Sequence, residues 1–339
     1  MLKILSAPEF KMHRREPLLD YSIYTFEAED LAKRIPRTGK KLADPEWMNE
    51  KTAADALMMT NARAQYSANL LALSYSAGTS IDDLRVFYPV VLDHWDEFAS
   101  YAKAFDNSPE YEGSWVAHFA LLGDEYEMVN RMTCFGILLG HTQLLARIAS
   151  IIEYRNPRMD GLLERLLLPF VPGRTAPPDE CTRHLPYFKT LKIFSAAKED
   201  RPSMMADYLS EWYVASRREP YFESHTRENF QGYWSWEAAA ITFLLEIDDT
   251  SYRDASFYPR DLVDFARSID ARAESSSAIS QDHTGLRVEG GQPCPQAGYW
   301  TTPAQKDSRR LFKVGEIMPI FEHSAYGATI WQWSEDQES

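Results

Sequence analysis

Three aspartates have the spacing in this sequence that most directly suggests chemistry. Asp248 and Asp249 are adjacent, and Asp254 follows five positions later. Paired carboxylates suit Mg²⁺, which prefers hard oxygen ligands and usually shares them with substrate phosphates. Aspartate is also a common turn residue, because its side chain accepts hydrogen bonds from the backbone that follows it. The cluster therefore indicates a metal-dependent helical enzyme or, on the simpler interpretation, a capped and solvated turn.

The remaining combinations of reactive side chains are incomplete. His94 and Glu97 form a His-x-x-Glu pair, but carboxylate di-iron bundles need Glu-x-x-His motifs, which the sequence lacks. Cys181 and His184 are zinc-type ligands without a second pair. The sequence also has no glycine-rich phosphate loop, HExxH motif or nucleophile elbow. We therefore predict no catalytic residues, no bound metal and no cofactor.

The acidic charge is concentrated in two segments of the chain. The 339 residues carry a formal charge of −14, from 50 acidic and 36 basic residues. Residues 81–130 have a net charge of −9 and residues 231–270 a net charge of −5, so the rest of the chain is neutral. Acidity of this kind opposes binding to nucleic acid or to an anionic membrane, and concentrated acidity indicates a contact face for a basic protein.

Ten carboxylates from these segments are predicted to contact that partner, by pairing with its basic side chains or by mimicking phosphates. Three of them have helical spacing and should share one side of a helix. The predicted contact residues are Asp93, Asp96, Glu97, Asp106, Glu110, Glu112, Asp124, Glu125, Asp248 and Asp249.

The elements that must position these residues are mainly α-helical. Apolar periodicity and capping residues predict helices over about 44–77, from Pro89 onward, and over 124–155, 159–168, 185–197, 203–217, 234–246 and 260–267. After about residue 271, loop-like stretches such as 274–277 and short apolar runs at 298–302, 311–314 and 328–333 predict a small β-rich appendage. The predicted domains are an N-terminal segment 1–45, a first helical half 46–170, a linker 171–183, a second helical half 184–270, and a linker with β-rich tail 271–339.

A degenerate repeat links the two acidic segments. The segment from Ile81 to Pro89 begins Ile-Asp-Asp and ends Phe-Tyr-Pro, and so does the segment from Ile247 to Pro259. Because proline fits the first turn of a helix, each copy predicts a helix, a tight connection and a second helix. The helical body is therefore predicted to contain duplicated helix-turn-helix units.

The sequence predicts a cytoplasmic protein. Its N-terminus lacks a signal-peptide core, and its apolar stretches are shorter than a membrane span. Its three cysteines lie far apart, which does not indicate a disulfide framework.

An aromatic run, Tyr233-Trp234-Ser235-Trp236-Glu237, opens one of the predicted helices. Such a run is most often core, and the alternative is that Glu237 and a tryptophan line a pocket or contact face. Together with Ile247-Asp248-Asp249-x-Ser-Tyr-Arg253 and Tyr258-Pro259-x-Asp261-Leu262, this region resembles the C-terminal region of the PoNi family. PoNi proteins are bacterial immunity proteins that neutralise PoNe-type DNase toxins.

The resemblance implies an all-helical fold, no enzymatic activity and stoichiometric binding of a cognate toxin, often one delivered by a type VI secretion system. The toxin would be a basic nuclease domain. The tail, with Cys294-Pro295, Gly298-Tyr-Trp300 and Thr329-Ile-Trp331-Gln-Trp333, resembles another immunity-protein family of polymorphic toxin systems. A helical-repeat adaptor remains an alternative function, and the sequence leaves open whether the protein forms a homodimer.

Overall fold

A computed structural model describes residues 1–112, 121, 123, 125–156, 158–174, 176–227, 229–283, 287–306, 308–321 and 329–334, with backbone alone for 272–283. The chain divides into two compact units, Met1–Ser268 and Ile269–Ser339. Within the described ranges, no helix is both long and apolar enough to cross a membrane.

The larger unit is helical, which confirms the predicted fold class. The helices of the chain in order are α1 (Ala7–His13), α2 (Tyr21–Leu42), α3 (Pro45–Asn49), α4 (Ala53–Ala77), α5 (Ile81–Asp106), α6 (Glu125–Leu138), α7 (Leu145–Glu153), α8 (Gly161–Leu167), α9 (Leu191–Ser195), α10 (Arg201–Ala215), α11 (Trp236–Leu244) and α12 (Arg260–His283), and the residues of α12 after Ser268 belong to the smaller unit. Short 3-10 helices occupy Thr142–Leu144, Tyr187–Thr190 and Ser224–Thr226. The predicted loop at 274–277 is wrong, because α12 continues to His283.

Helix α4 packs against both α2 and α5, and the three helices form much of the core. Thr52 caps α4, and its hydroxyl accepts a hydrogen bond from the Asp55 N–H. Gly78 ends α4 with a positive φ of 102°, and a Cβ there would lie 2.3 Å from the His13 carbonyl oxygen. The predicted end at Gly78 is confirmed, while the predicted single helix over 44–77 is divided between α3, which Asp44 caps, and α4.

Helix α5 begins earlier than predicted. It starts at Ile81 with Ser80 as its N-cap, so Pro89 lies inside the helix rather than at its beginning. Because proline has no N–H, it cannot donate to the carbonyl oxygen of Arg85 four residues earlier. That oxygen instead accepts a hydrogen bond from Nε2 of His141, at 2.8 Å. A side chain from the connection between α6 and α7 thus replaces the missing backbone donor.

The two copies of the sequence repeat adopt different structures. The first copy lies within the first turns of α5. The second copy is the connection between α11 and α12, and α12 begins directly after Pro259. The expected helix, connection and helix therefore occurs at both copies, but at the first copy the connection is residues 78–80 and the repeat segment itself lies in the second helix.

Residues 124–155 were expected to form one helix and instead form α6 and α7. Gly140, with a positive φ of 71°, and the 3-10 helix Thr142–Leu144 separate them.

The smaller unit contains an antiparallel sheet of four strands, which confirms the predicted β-rich appendage. The strands are β1 (Arg287–Glu289), β2 (Gly298–Thr301), β3 (Arg310–Phe312) and β4 (Ile330–Trp333), in the spatial order β1-β4-β2-β3. Val288 pairs with Trp331, and Tyr299 pairs with Leu311. Its separate core consists of Cys294, Trp300, Phe312, Met318 and Trp331.

Candidate functional site

One side of α5 carries three of the predicted contact residues and two exposed valines. Asp93, Asp96 and Glu97 lie at helical spacing, and Val86 and Val90 precede them at the same spacing. Val86 is 77% exposed and Val90 is 40% exposed. We call this surface, together with the exposed Asp82 in the first turn, the α5 face. It combines apolar side chains with surrounding carboxylates.

Two arginines from other helices pair with these carboxylates. Arg147 on α7 donates from Nη2 to Asp93 and from Nε to Asp96, both at 2.7 Å. Arg63 on α4 donates to Glu97 at 2.7 Å. Exposed ion pairs of this kind contribute about 0–1 kcal/mol each. The side chains of Asp93 and Asp96 remain 68% and 45% exposed, so a partner can still reach them.

Three further predicted residues follow at and beyond the end of α5. Asp106 is buried, accepts a hydrogen bond from the Tyr154 hydroxyl at 2.8 Å and pairs with Arg155 at 3.1 Å. Glu110 accepts hydrogen bonds from the first N–H groups of α4, and Glu112 is exposed. Asp106 thus supports the fold, while Glu110 and Glu112 remain at the surface.

The predicted residues near the second repeat copy have different environments. Asp249 is 5% exposed and is held by Arg253 at 3.2 Å, Arg267 at 2.9 Å and the Tyr258 hydroxyl at 3.0 Å. Asp248 is exposed and accepts hydrogen bonds from the N–H and hydroxyl of Thr250. Within the described residues, no hydrogen bond or ion pair joins either aspartate to the α5 face.

Asp124 lies outside the described residues, and Glu125 lines a cavity that is described below. The acidic residues that the sequence groups together are therefore distributed over several parts of the larger unit.

Arginine side chains partner two of the three aspartates considered as magnesium ligands. Asp249 is paired as above, and the exposed Asp254 pairs with Arg260. Across the part of the chain that the structure describes, no group of three or more His, Cys, Asp and Glu side chains is arranged to hold a metal ion. The observed arrangement is that of a capped turn tied to α12.

Both repeat copies border one groove of about 1090 Å³. Asp83 lines it from the first copy, and residues 253–258 line it from the second. Arg15 lies in this groove, where it pairs with Asp261 and donates to the carbonyl oxygens of Tyr75 and Thr79 at 2.8 Å. These contacts tie the N-terminal segment to α4 and α12.

The aromatic run that opens α11 lines a second, polar cavity of about 320 Å³, which we call the Glu237 cavity. Trp234 is half-buried, whereas Trp236 and Glu237 are buried, so the run serves as both core and cavity wall. Most of the other lining residues are polar or aromatic, and they come from several elements. They include Gln65, Asn69, Glu125, Glu127, Asn130, Arg131, Tyr187, Trp212, Tyr221, Asn229 and Gln231.

Glu237 is 1% exposed and is held by neutral donors. Its Oε1 accepts hydrogen bonds from the Tyr208 hydroxyl at 2.6 Å, Trp212 Nε1 at 2.8 Å and the Ser235 hydroxyl at 2.6 Å. Its Oε2 accepts one from Asn130 at 3.1 Å. Burial, together with the nearby Glu237 carboxylate, raises the pKa of Tyr208 well above its ordinary value. The hydroxyl therefore remains a donor to the carboxylate.

Glu127 and Arg131 lie one turn apart on the cavity wall. Arg131 donates to Gln231 at 2.6 Å and to Asn69 at 3.1 Å, but its Nε has no hydrogen-bond partner among the described residues and lies 3.8 Å from Glu127. Burial raises the pKa of Glu127; Arg131 opposes this shift and Glu237 adds to it. The Glu127 carboxylate thus lies in the cavity with little compensation.

Sequence reasoning did not identify Val86, Val90, Arg147, Glu127 or Arg131. Both valines have the same helical spacing as Asp93 and Glu97, but the predicted start at Pro89 leaves Val86 outside the helix, and no local pattern marks Val90 as exposed. Arg147 and Arg131 carried no signal, because their partners lie 54 and 62–100 positions away in the chain.

Two models of one family match the chain. The model for the N-terminal part of PoNe immunity proteins (PoNi) matches residues 15–150, and the model for their C-terminal part matches residues 158–262. The chain belongs to the PoNi family. Its role is therefore that of an immunity protein, as the resemblance of the aromatic run and the Ile-Asp-Asp segment implies. The PoNi models end before the sheet of the smaller unit.

A solved structure supports the same fold for this PoNi chain. Protein PA2201 from Pseudomonas aeruginosa is similar to it with a TM-score of 0.63 and 20% sequence identity, over 78% of this chain and 97% of that protein. At this identity the similarity concerns the fold alone. No curated protein sequence matches the chain.

Proposed function

We propose that this PoNi-family protein neutralises a secreted toxin by binding it directly, with the α5 face as the contact surface. The observation that carries the proposal is the pair of exposed valines next to Asp93, Asp96 and Glu97. Interfaces gain most of their affinity from a few anchors at the centre, while surrounding charges steer the partner and raise the association rate. The α5 face has both components.

The toxin that best fits this surface is a basic nuclease domain, delivered by a type VI secretion system and met in the cytoplasm. A nuclease must bind polyanionic nucleic acid, so its substrate groove is expected to be basic. The net charge of −14 on this chain complements such a groove. Binding of the α5 face would then compete with nucleic acid and require no chemical step.

Charge reversal tests the steering role of the α5 face. Replacing Asp93, Asp96 and Glu97 together by Lys should slow association with the cognate toxin by roughly tenfold at low salt, with a smaller effect at high salt. Stopped-flow fluorescence measures both rates. A matched control replaces Glu29, Asp30 and Glu46, which lie outside the α5 face, by Lys and should leave association near the wild-type rate.

The valines provide an independent test of the same surface. Val86→Asp and Val90→Asp should raise the dissociation rate more than they lower the association rate, because they remove apolar anchors. Since both side chains are exposed, the free energy of unfolding should change little. Wild-type association in the charge variant together with wild-type dissociation in the valine variants would refute the α5 face as the contact.

A further inference from the structure

We propose that the Glu237 cavity is an anchor pocket for one cationic side chain, an arginine or lysine, of the bound toxin. This inference rests on the proposed function and adds a second contact to it, apart from the α5 face. The cavity volume of about 320 Å³ is at the lower end of the range for small-ligand sites. A single side chain is therefore a suitable occupant.

The charges on the cavity wall select a cation. Three carboxylates line the cavity, from Glu125, Glu127 and Glu237, against the one guanidinium of Arg131. That guanidinium already donates hydrogen bonds to Gln231 and Asn69. The cavity therefore has an excess of negative charge, which an incoming ammonium or guanidinium group would neutralise.

Glu127 is the group that this cation would satisfy first. Its side chain is only 20% exposed, and no described residue donates a hydrogen bond to it, since the nearest guanidinium nitrogen lies at 3.8 Å. Arg131 offsets the Glu127 charge only from 3.8 Å, so a charged donor that comes within hydrogen-bond distance of this largely buried carboxylate is favoured. By contrast, the fold already supplies four donors to Glu237.

Aromatic rings and amide groups complete the pocket. Trp234, Trp236 and Tyr221 line it, and the faces of such rings attract guanidinium and ammonium groups. Gln65 and Asn229 on the same wall offer carbonyl oxygens as further acceptors. The combination of carboxylates, aromatic rings and amide oxygens favours a cation over an anionic or purely apolar ligand.

The lining residues of the cavity come from both family regions of the sequence, which points to a partner protein as the source of the cation. Its wall combines residues 65–131 from the first family region with residues 187–237 from the second. The cavity therefore forms only when both regions of an immunity protein are folded together. Arginine is also among the residues that most often act as buried anchors in protein interfaces.

Two small probes test the cavity without the toxin. Argininamide should quench tryptophan fluorescence saturably, whereas citrullinamide, which has nearly the same shape but a neutral ureido group in place of the guanidinium, should bind much more weakly. Glu127→Gln and, separately, Glu125→Gln should each weaken argininamide binding by roughly tenfold. Glu29→Gln on α2 is the matched surface control. Thermal unfolding of each variant confirms that it is folded. Equal binding of argininamide by wild type and both cavity variants, or no saturable binding by wild type, would overturn the proposal.

The toxin itself then separates this inference from the proposed function. With the cognate toxin, Glu127→Gln should raise the dissociation rate by roughly tenfold, and Glu29→Gln should not. Unchanged toxin binding by Glu127→Gln, with wild-type binding intact, overturns the anchor pocket and leaves the proposed function standing. Absence of toxin binding by the wild type overturns both.

Discussion

The carboxylates of the α5 face and those at Glu237 and Asp249 are chemically alike but differ in their surroundings. Asp93 and Asp96 share one arginine at the surface, and their side chains remain 68% and 45% exposed. Glu237 and Asp249 are almost completely buried, and each accepts hydrogen bonds from at least three groups.

This difference separates carboxylates that maintain the fold from carboxylates that remain available to a partner. Breaking an exposed ion pair so that its carboxylate can bind a partner costs little free energy, because water replaces the lost contact. A buried carboxylate cannot leave its hydrogen bonds for a partner in this way, since the donors around it would then have no acceptor. Net charge along the sequence counts both kinds equally, so it overestimates the acidic surface.

Removal of the Glu237 carboxylate should have the largest effect. Glu237→Ala leaves the buried donors of Tyr208, Trp212 and Asn130 without their acceptor and should lower the free energy of unfolding by about 4 kcal/mol. Chemical denaturation measures it. Glu237→Gln keeps one acceptor oxygen and should lower the free energy of unfolding by less than Glu237→Ala does. A loss below about 1 kcal/mol for Glu237→Ala would remove the distinction between the two kinds of carboxylate.

The neighbouring aspartates of the second repeat copy provide an internal comparison. Asp249→Asn should lower the free energy of unfolding by about 2 kcal/mol, less than for a fully buried pair because Arg253 and Arg267 are partly exposed. Asp248→Asn should cost less than about 0.5 kcal/mol, since this side chain is exposed. The same denaturation experiment compares the two. Equal losses would mean that burial does not decide the role of these residues.

His94 is the buried neighbour of Asp93 and should make stability depend on pH. Burial, with Arg63 acting in the same direction and Asp93 against it, lowers the pKa of His94 from 6.5 to about 4. The unfolded chain then takes up a proton between pH 6.5 and pH 4 while the folded protein does not. The contribution of neutral His94 to the free energy of unfolding is therefore complete above pH 6.5 and declines as the pH falls to about 4.

Denaturation at several pH values between 7.5 and 4 tests this prediction. His94→Gln should show a shallower loss of unfolding free energy over this interval than the wild type. His13→Gln, at an exposed position, should retain the wild-type slope. Parallel slopes for the wild type and His94→Gln would contradict the assignment.

The smallest expected effect concerns the arginine that pairs with the α5 face. Arg147→Ala removes the partner of Asp93 and Asp96, so the face becomes more negative. Association with a basic toxin should become faster by about twofold at low salt, and the difference should disappear at high salt. Lys33→Ala on α2 removes an exposed partner of Glu29 and is the control. Slower association of Arg147→Ala would indicate that Arg147 itself contacts the toxin.

The sequence predicts the local elements of this fold better than their long-range partners. Asp44 and Gly78 act as the expected helix cap and helix end, because both signals depend on neighbouring residues. The β-rich tail is also correct, since its apolar runs alternate with turns. Pro89 is misleading, because the donor that lets it lie inside α5 comes from His141.

The candidate sites depend still more on distant contacts. The aromatic run indicates that Glu237 is near the core, but its donors Tyr208 and Trp212 lie 29 and 25 positions earlier. The paired state of Asp93 depends on Arg147, which no local pattern links to it. Local sequence therefore identifies the carboxylates, and only the packing of helices shows which of them are neutralised.

The hydrogen bond from His141 to Arg85 gives the uncharged Pro89 a role in the electrostatics of α5. In the middle of a helix each carbonyl oxygen is normally occupied by its own helix, so the oxygen left free by a proline is a unique attachment point. The connection attached there leads directly into α7, whose Arg147 then lies beside Asp93 and Asp96. If the proline moved by one helical turn, the attachment point would move with it, and the arginine would pair with a different part of the surface. Related chains could therefore change which carboxylates are neutralised without altering a single charged residue.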